Sequence, residues 1–478
     1  MYTLQDLNEL KTDKSRIDFS LKIISAHQSS EEYKTAKIAN DYDRQKNTTI
    51  CTYQRFLYNL KGKAIPDTFK ANYKLASNFF NSFVTQQNQY LLGNGVFLTE
   101  KQSEKDKLLG KDFDTQLQKA GRTALVEGCS FGFWNLDHLE IFKLTEFAPL
   151  YDEENGALGA GVRFWQIDES KPLRFTLYEL DGYTDFIRRK NKDAEILHPK
   201  RAYKLIKVTT GLDGTEIVDF ENYPNFPIVP LWANEFHQSS IVGIREKIDC
   251  YDLIQSGFAN DLDNATSIYW IIKNAGGMED SDLTRFLERL KLVGAASLDA
   301  DAGVDAQAHT IDVPYTARET YLTRLEQDMY KDFGVVNVST ISGGNKTATE
   351  IMAAYQPMDT KADQYEYMVL DFLDGIFKLA GIDDYPTFKR NRIVNQLEET
   401  NMVIAAAQYL DDEAVLKHLP FLTPDEVDDI MKRKDEEDVE RLINTQTNDS
   451  ANVVNTQNNL PANNNQNTQN ASTSEIQQ

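Results

Sequence analysis

The sequence predicts an α+β chain: a β-rich region, two helices flanking a small α/β insertion, a polar loop, and one long helix. Three observations predict it. Residues 129–232 carry aromatic and branched residues in short alternating runs, cut by YDEENG, ELDGY, RRKNKD and TGLDGTE. That is the pattern of antiparallel hairpins. Ile241, Ile244, Ile248, Tyr251, Ile254 and Phe258 then mark one helix face, and Leu322, Leu325, Met329 and Phe333 another. Finally, Ile351, Tyr355, Met358, Ala362, Tyr365, Val369, Phe372, Ile376 and Leu379 recur in steps of four and three. Such a seam implies a helix of about 30 residues, about 45 Å long at 1.5 Å per residue.

Taken in order, residues 1 to about 60 are polar and charged, with helical spacing in pieces. From Asn72 to Tyr90, the spacing of Leu75, Phe79, Phe83 and Tyr90 predicts an amphipathic helix. Gly93-Asn94-Gly95 ends it in a turn, and a short strand follows at Val96 to Leu98. A second helix is expected over Asp112 to Glu127, stopping at Gly128. The hairpin region closes with YPNFPIVPLW, too rich in proline for a helix or a central strand.

A helix is next expected from about Ser239 to Asn264. SIYWIIKN reads as a strand, DLTRFLERLKL as a short helix and VGAASL as another strand, while 299–310 (DADAGVDAQAHT) read as an acidic loop. Helix resumes at Thr316. VVNVSTISGGNKT, 335–347, is expected to be a loop, and Pro357 to kink the first third of the long helix behind it. Short acidic helices are expected within 388–443, and disorder from Asn444, where Asn, Gln, Thr and Ser take over.

The 478 residues leave room for two to four domains, and 41% hydrophobic content supports a sizeable core. Acidic residues outnumber basic ones by 74 to 51, a net charge of −23. A tight DNA-binding protein carries a basic face that displaces counterions from phosphates. This chain should repel nucleic acid, so any DNA role is loose or confined to a small patch. Cys51, Cys129 and Cys250 are far apart, which argues against a disulfide framework or structural zinc. The charged N-terminus lacks the apolar run of a signal peptide, and no stretch approaches the ~20 apolar residues of a membrane span. A cytoplasmic chain is expected.

Catalytic motifs are scarce. Ser342-Gly343-Gly344-Asn345-Lys346-Thr347 ends like a phosphate-binding loop, but Thr340 and Asn345 occupy the places where that motif needs glycine. Gly93-Asn94-Gly95 lacks the third glycine of a dinucleotide site. The six histidines are scattered; Asp137-His138 reads as a hairpin cap. Cys129 and Cys250 read as ordinary buried thiols. Pairs such as Asp152-Glu153, Asp383-Asp384 and Asp428-Asp429 mean little among 74 acids. No enzyme, cofactor or metal is expected.

The order of elements resembles the phage portal protein family, especially portals of long-tailed phages of Gram-positive bacteria. The best local match is FPIVPLWANEFHQSSIVGIREKIDCYDLIQSGFANDLD, Phe226 to Asp263. Family members similarly carry a P-I-V-P-x-x-x-N strand, here Pro227 to Asn234. A helix reading I-D-x-Y-x-x-x-x-S follows it, here Ile248-Asp249, Tyr251 and Ser256. ALVEGCSFGFWNLD, FAPLYDEENG and NQYLLGNGV look like the family's wing.

The resemblance covers about residues 50–440. It implies a wing of residues 1–238 together with the long helix 348–382, stem helices at 239–264 and 315–334, and a clip at 265–314. It further implies a tunnel loop at 335–347, a crown at 383–443, and a tail beyond. The tunnel loop would place Val338, Ser339, Thr340, Ile341, Ser342, Gly343, Gly344, Asn345, Lys346 and Thr347 along a DNA channel. Lys346 is the one cation there, so twelve copies would make a ring of positive charge. Ile268, Trp270 and Ile271 of the clip would be buried between neighbours; an ordinary small core is the other reading. Implied partners are eleven further copies (twelve in isolation, if thirteen-fold), duplex DNA, the terminase large subunit, a head-completion or adaptor protein, scaffold and the major capsid protein. The implied location is the virion's portal vertex, after assembly in the host cytoplasm. Two other readings stay open: a different phage head or connector component, and a nucleic-acid-processing enzyme.

Overall fold

The computed structural model describes residues 2–58, 62–67, 70–210, 216–265, 269–273, 281, 284–285, 305–309, 315–341, 348–391, 396–419, 422 and 426–437. The chain divides into two compact units, Met1–Arg392 and Ile393–Gln478.

The first unit mixes helices with antiparallel sheets. Helices α1 (Leu4–Asn8), α2 (Asp13–Ser29) and α3 (Glu31–Asp43) start at Thr3, Thr12 and Ser30, whose hydroxyls accept backbone N–H bonds from the first turn. Phe19, Ile23 and Ile24 of α2 pack on Ala148, Leu150, Val162, Phe175, Leu177 and Phe186. Those residues come from a five-stranded meander of β6 (Phe147–Tyr151), β7 (Leu158–Trp165), β8 (Leu173–Glu179), β9 (Gly182–Arg188) and β10 (Ala194–Arg201). β11 (Lys204–Thr210) and β12 (Glu216–Glu221) form a further hairpin, as the turn clusters predict.

The main core lies around a three-stranded sheet ordered β13 (Ile228–Trp232), β4 (Cys129–Asn135), β5 (His138–Lys143). Pro230 sits in β13, which is an edge strand, where a missing N–H is tolerated. α7 (Phe113–Glu127) ends at Gly128, whose φ of 95° is left-handed, and the chain turns straight into β4.

α11 (Ala348–Ala380) runs for 33 residues, through Pro357, and stops at Gly381 with φ 70°. Its seam of Tyr355, Met358, Ala362, Tyr365, Val369, Phe372 and Ile376 is buried as the spacing requires. The helix lies close on the sheet at two glycines. A Cβ on Gly132 would stand 2.5 Å from the Phe372 ring, and one on Gly375 would stand 2.8 Å from Val229.

Four expectations need correction. The helix expected from Asn72 begins only at Phe79, as α5 (Phe79–Leu92). Residues 73–77 are extended because remote side chains take their N–H groups, as described below. The helix expected from Ser239 begins at Arg245, as α8 (Arg245–Ala265). There Gly243 has a φ of 86°, while Ser239 Oγ and Ser240 N donate to the Val126 and Leu125 carbonyls at the end of α7.

Within the expected acidic loop 299–310, Asp305–His309 is a strand, β15. It pairs antiparallel with β14 (Tyr269–Lys273), an apolar strand whose backbone groups need a partner. Within the expected loop 335–347, Val338–Ile341 forms a helical turn, α10, entered where Asn337 Oδ1 accepts from Ser339 N at 3.1 Å. VGAASL, most of DLTRFLERLKL and the tail from Asn444 lie outside the described residues.

The second unit holds short helices, α12 (Gln396–Ala406), α13 (Asp412–His418) and a helical stretch at 426–437. Val403 and Val427 are buried in it.

Candidate functional site: the paired helices and their junction with the long helix

α8 and α9 (Tyr315–Phe333) run antiparallel. Arg318 bonds Asp261 at 2.7 Å near one end of the pair, and Lys247 bonds Asp332 near the other. At the Arg318 end, Phe258 meets Tyr315 with ring centroids 5.8 Å apart. At the end nearer the sheets the pair sits on α5. Phe83 lies 4.9 Å from Tyr330 and 5.0 Å from Phe333, and Phe79 lies 5.0 Å from Tyr251. Leu325, Met329 and Phe333 are buried there, so packing sets the angle and the ion pairs trim it.

The opposite face of α8 is polar and buried. Asp252, Ser256 and Asn260, four residues apart, form one stripe. Asp252 accepts from Ser77 N at 2.9 Å, Ser256 from Leu75 N at 2.9 Å, and Asn260 from Tyr73 N at 2.8 Å. Three alternate amides of an extended segment are thus hung on three successive turns of a helix. Asn47 also donates to Asp252, while Tyr42 and Thr49 donate to Asp249. Burial holds the Asp252 carboxyl above its usual range, against the hydrogen bonds from Asn47 and Ser77 that favour its charge. Sequence reasoning missed this ladder, although its signal was present: three polar residues at four-residue spacing inside an amphipathic helix.

At the junction, Lys361 of α11 reaches the C-terminus of α9. Its ammonium donates to the Phe333 carbonyl at 2.5 Å and lies 3.5 Å from the centre of the Phe333 ring. It therefore satisfies a terminal helix carbonyl with a cation. Burial pushes its pKa down to about 7. Gly334 follows in a left-handed conformation and Val335 and Val336 are buried, so the start of the expected tunnel loop is anchored.

The remaining sequence-stated candidates fall as follows. Val338, Ser339, Thr340 and Ile341 form α10, with Val338 and Ser339 exposed. Ser342, Gly343, Gly344, Asn345, Lys346 and Thr347 lie outside the described residues, as does Ile268. Trp270 and Ile271 stand in β14 opposite Ala308 and Gln307. His138 meets Asp137 at 2.8 Å on the exposed β4–β5 turn, a hairpin cap as expected. Cys129 is a buried thiol whose pKa burial drives well up; Cys250 is half-buried and Cys51 exposed. Asp384 accepts from the N–H groups of Thr99, Glu100 and Lys101, a structural role. Among the described residues no group of three or more His, Cys, Asp or Glu is placed to hold a metal ion, and no helix is long and apolar enough to cross a membrane.

A family model described as "Phage portal protein, SPP1 Gp6-like" matches residues 24–440. The chain belongs to this portal family. The "Portal protein" of Bacillus phage SPP1 is 23% identical over 412 residues, covering 77% of each chain. The "Portal protein" of Clostridium phage phiCD119 is 26% identical over 219 residues, 44% of this chain. That match spans 48% of the phiCD119 protein, about half its length. A solved structure titled "Neck of empty GTA particle computed with C6 symmetry" shares 10% identity at a TM-score of 0.43, covering 71% of this chain and 88% of that one.

Proposed function

We propose that this chain is one subunit of a ring-shaped portal that duplex DNA crosses on entering and leaving a phage head. The observation that carries the reading is the portal family match over residues 24–440. The antiparallel α8–α9 pair and the long α11 joined to it by Lys361 suit a stem and wing. On this reading the wing is 1–238 with 348–382, the stem 239–264 and 315–334, the clip 265–314, the tunnel loop 335–347 and the crown 383–443. The ring has twelve copies in the virion. It docks the terminase large subunit during packaging and a head-completion protein afterwards, and it meets scaffold and major capsid protein at the portal vertex.

The role is mechanical, without catalysis. A wall drawn from a chain of net charge −23 holds phosphates weakly, so DNA slides past it without sticking at each step. Lys346 supplies a transient phosphate contact in the tunnel loop. The test is the mass of the purified chain, by native mass spectrometry, with electron microscopy of the assembly. A ring of twelve or thirteen subunits with a hole wide enough for duplex DNA is expected; a stable monomer or dimer at high concentration sinks the reading. Lys346→Ala is expected to lower packaging efficiency, and unchanged packaging would remove Lys346 from the mechanism.

A further inference from the structure

An acidic chain can hold nucleic acid only at a small basic patch, and one end of the five-stranded meander carries such a patch. Two turns lie together at that end, 166–172 between β7 and β8 and 189–193 between β9 and β10. Residues 166–174 and 188–195 hold six basic and four acidic side chains, in a chain where acids outnumber bases by 74 to 51. Both turns are built by their own polar groups. Asp168 accepts from Ser170 N at 2.7 Å, and Gln166 donates to the Lys171 carbonyl at 2.8 Å. Asn191 takes a left-handed φ of 60°, and Lys192 N donates to the Arg189 carbonyl at 3.1 Å.

Two of the four acids are engaged, Asp168 within its turn and Glu195 with Arg189. Lys171, Arg174, Arg188, Lys190 and Lys192 are exposed, and none of the five forms an ion pair among the described residues. Strand register distributes them around the end. Trp165, Arg174 and Ile187 stand abreast on one face, and Leu173, Arg188 and Ala194 on the other, where Leu173 and Ala194 pack toward α2. Arg174 and Arg188 thus flank the end from its two faces, with the three lysines in the turns. Strands lie about 4.8 Å apart, so β7 to β10 span about 14 Å. That width meets about four phosphates of one DNA strand at 3.4 Å each.

We propose that this end of the meander binds the phosphate backbone of duplex DNA, apart from the tunnel loop and without reading sequence. Cations alone suffice for such a contact, because each one displaces a counterion from the phosphates. A protein partner asks for apolar area as well, since a standard interface buries about 800 Å² per partner around an apolar centre. The large apolar side chains exposed here are Ile167 and Trp165, and the Arg163 guanidinium already stands 5.3 Å from the centre of the Trp165 ring. That is too little for a protein interface. Five phosphate contacts give log K a slope of about −4.5 against log salt. Binding therefore falls roughly a hundredfold between about 50 and 150 mM salt, which keeps it weak under physiological conditions. The site goes beyond the portal reading and does not depend on ring formation.

The test is fluorescence anisotropy of a short labelled duplex oligonucleotide, titrated with the full chain at several salt concentrations. The site variant is Arg188→Gln/Lys190→Gln/Lys192→Gln. Lys107→Gln/Lys111→Gln/Lys119→Gln makes the same charge change elsewhere, where Asp106 and Asp112 adjoin the lysines, and Lys346→Ala probes the tunnel loop. The glutamine positions are all exposed, so thermal melts matching wild type will show that folding is intact. The site variant is expected to lose at least roughly tenfold in affinity at about 50 mM salt and to flatten the slope by about 2.7, with little change in the control. Equal losses in site and control variants reduce the effect to net charge and overturn the site, as does a loss confined to Lys346→Ala. A wild-type chain that binds no duplex at low salt overturns it too, while the ring reading still stands on its mass measurement. A chain that stays monomeric yet shows the site-specific loss sinks the ring reading alone. A site variant that binds DNA normally but needs more protein to form rings makes this end a contact between copies, and overturns the proposal as well.

Discussion

Asp252 and Lys361 show how single side chains hold distant segments in place. Asp252 is buried and accepts from both Asn47 and Ser77. An Asp252→Ala chain leaves two buried donors unmet and is expected to lose about 1–3 kcal/mol in denaturant unfolding. Asp252→Asn should lose less, because it keeps a carbonyl oxygen to accept from Ser77 N, although turning the Asn47 amide over to meet the new donor gives up its bond to the Ser77 carbonyl. Since burial raises the Asp252 pKa, the folded chain binds that proton more tightly than the unfolded one. Its contribution to stability therefore falls as pH rises from the ordinary carboxylate range.

Lys361 works in the other direction. With a folded pKa of about 7, below its unfolded value, the unfolded chain binds the extra proton above that pH. Stability gained from this group rises with pH from about 7 to about 10. The stability of Lys361→Met relative to wild type is thus expected to fall across that window, and a constant difference in paired melts would refute it. Neither residue was legible as a site from the sequence, because each acts on a partner far along the chain: Ser77 lies 175 residues from Asp252 and Phe333 lies 28 from Lys361.

The elements were legible where their own side chains decide their conformation. α7 with its Gly128 stop and the seam of α11 follow directly from spacing. They were misread where a remote partner decides. Residues 73–77 carry helical spacing yet are extended, because α8 side chains claim their amides. Asp305–His309 has weak strand preference and pairs because β14 needs it. Packing outweighs charge in the helix pair. Phe83→Ala is expected to cost ~3–5 kcal/mol, whereas Lys247→Met should cost less than ~1 kcal/mol, both read from denaturant midpoints. Gly132→Val would drive two methyl groups into the Phe372 ring. A loss of ~2–3 kcal/mol and a shift of the Phe372 ring signals in aromatic spectra are expected, as α11 lifts from the sheet.

At the scale of the whole molecule, the order of segments was the readable feature and their assembly was not. The sequence shows hairpins, a helix, an insertion, a helix and a long helix, and the fold keeps that order. Which surfaces meet a neighbour depends on exposure, and exposure depends on packing that no single segment encodes. Charge does carry to this scale. Rings of this chain are expected to retain duplex DNA poorly at physiological salt in filter binding; tight retention there would contradict the acidic channel proposed above. One last consequence follows from Pro357. It has no N–H to give the Ala353 carbonyl, so α11 lacks one rung of its hydrogen-bond ladder about two and a half turns from its start. Beyond that gap the inward face is buried, while before it Glu350, Met352 and Ala353 are exposed and Ile351 rests on Tyr90, Val336, Tyr355 and Met358. The helix is a lever with its fulcrum at the missing rung. A bend of about 10° there swings the leading end, about 14 Å away, through about 2 Å. A load arriving at that end can be absorbed as a small tilt of the leading turns, taken up at the Ile351 contact ahead of the more deeply buried seam beyond it.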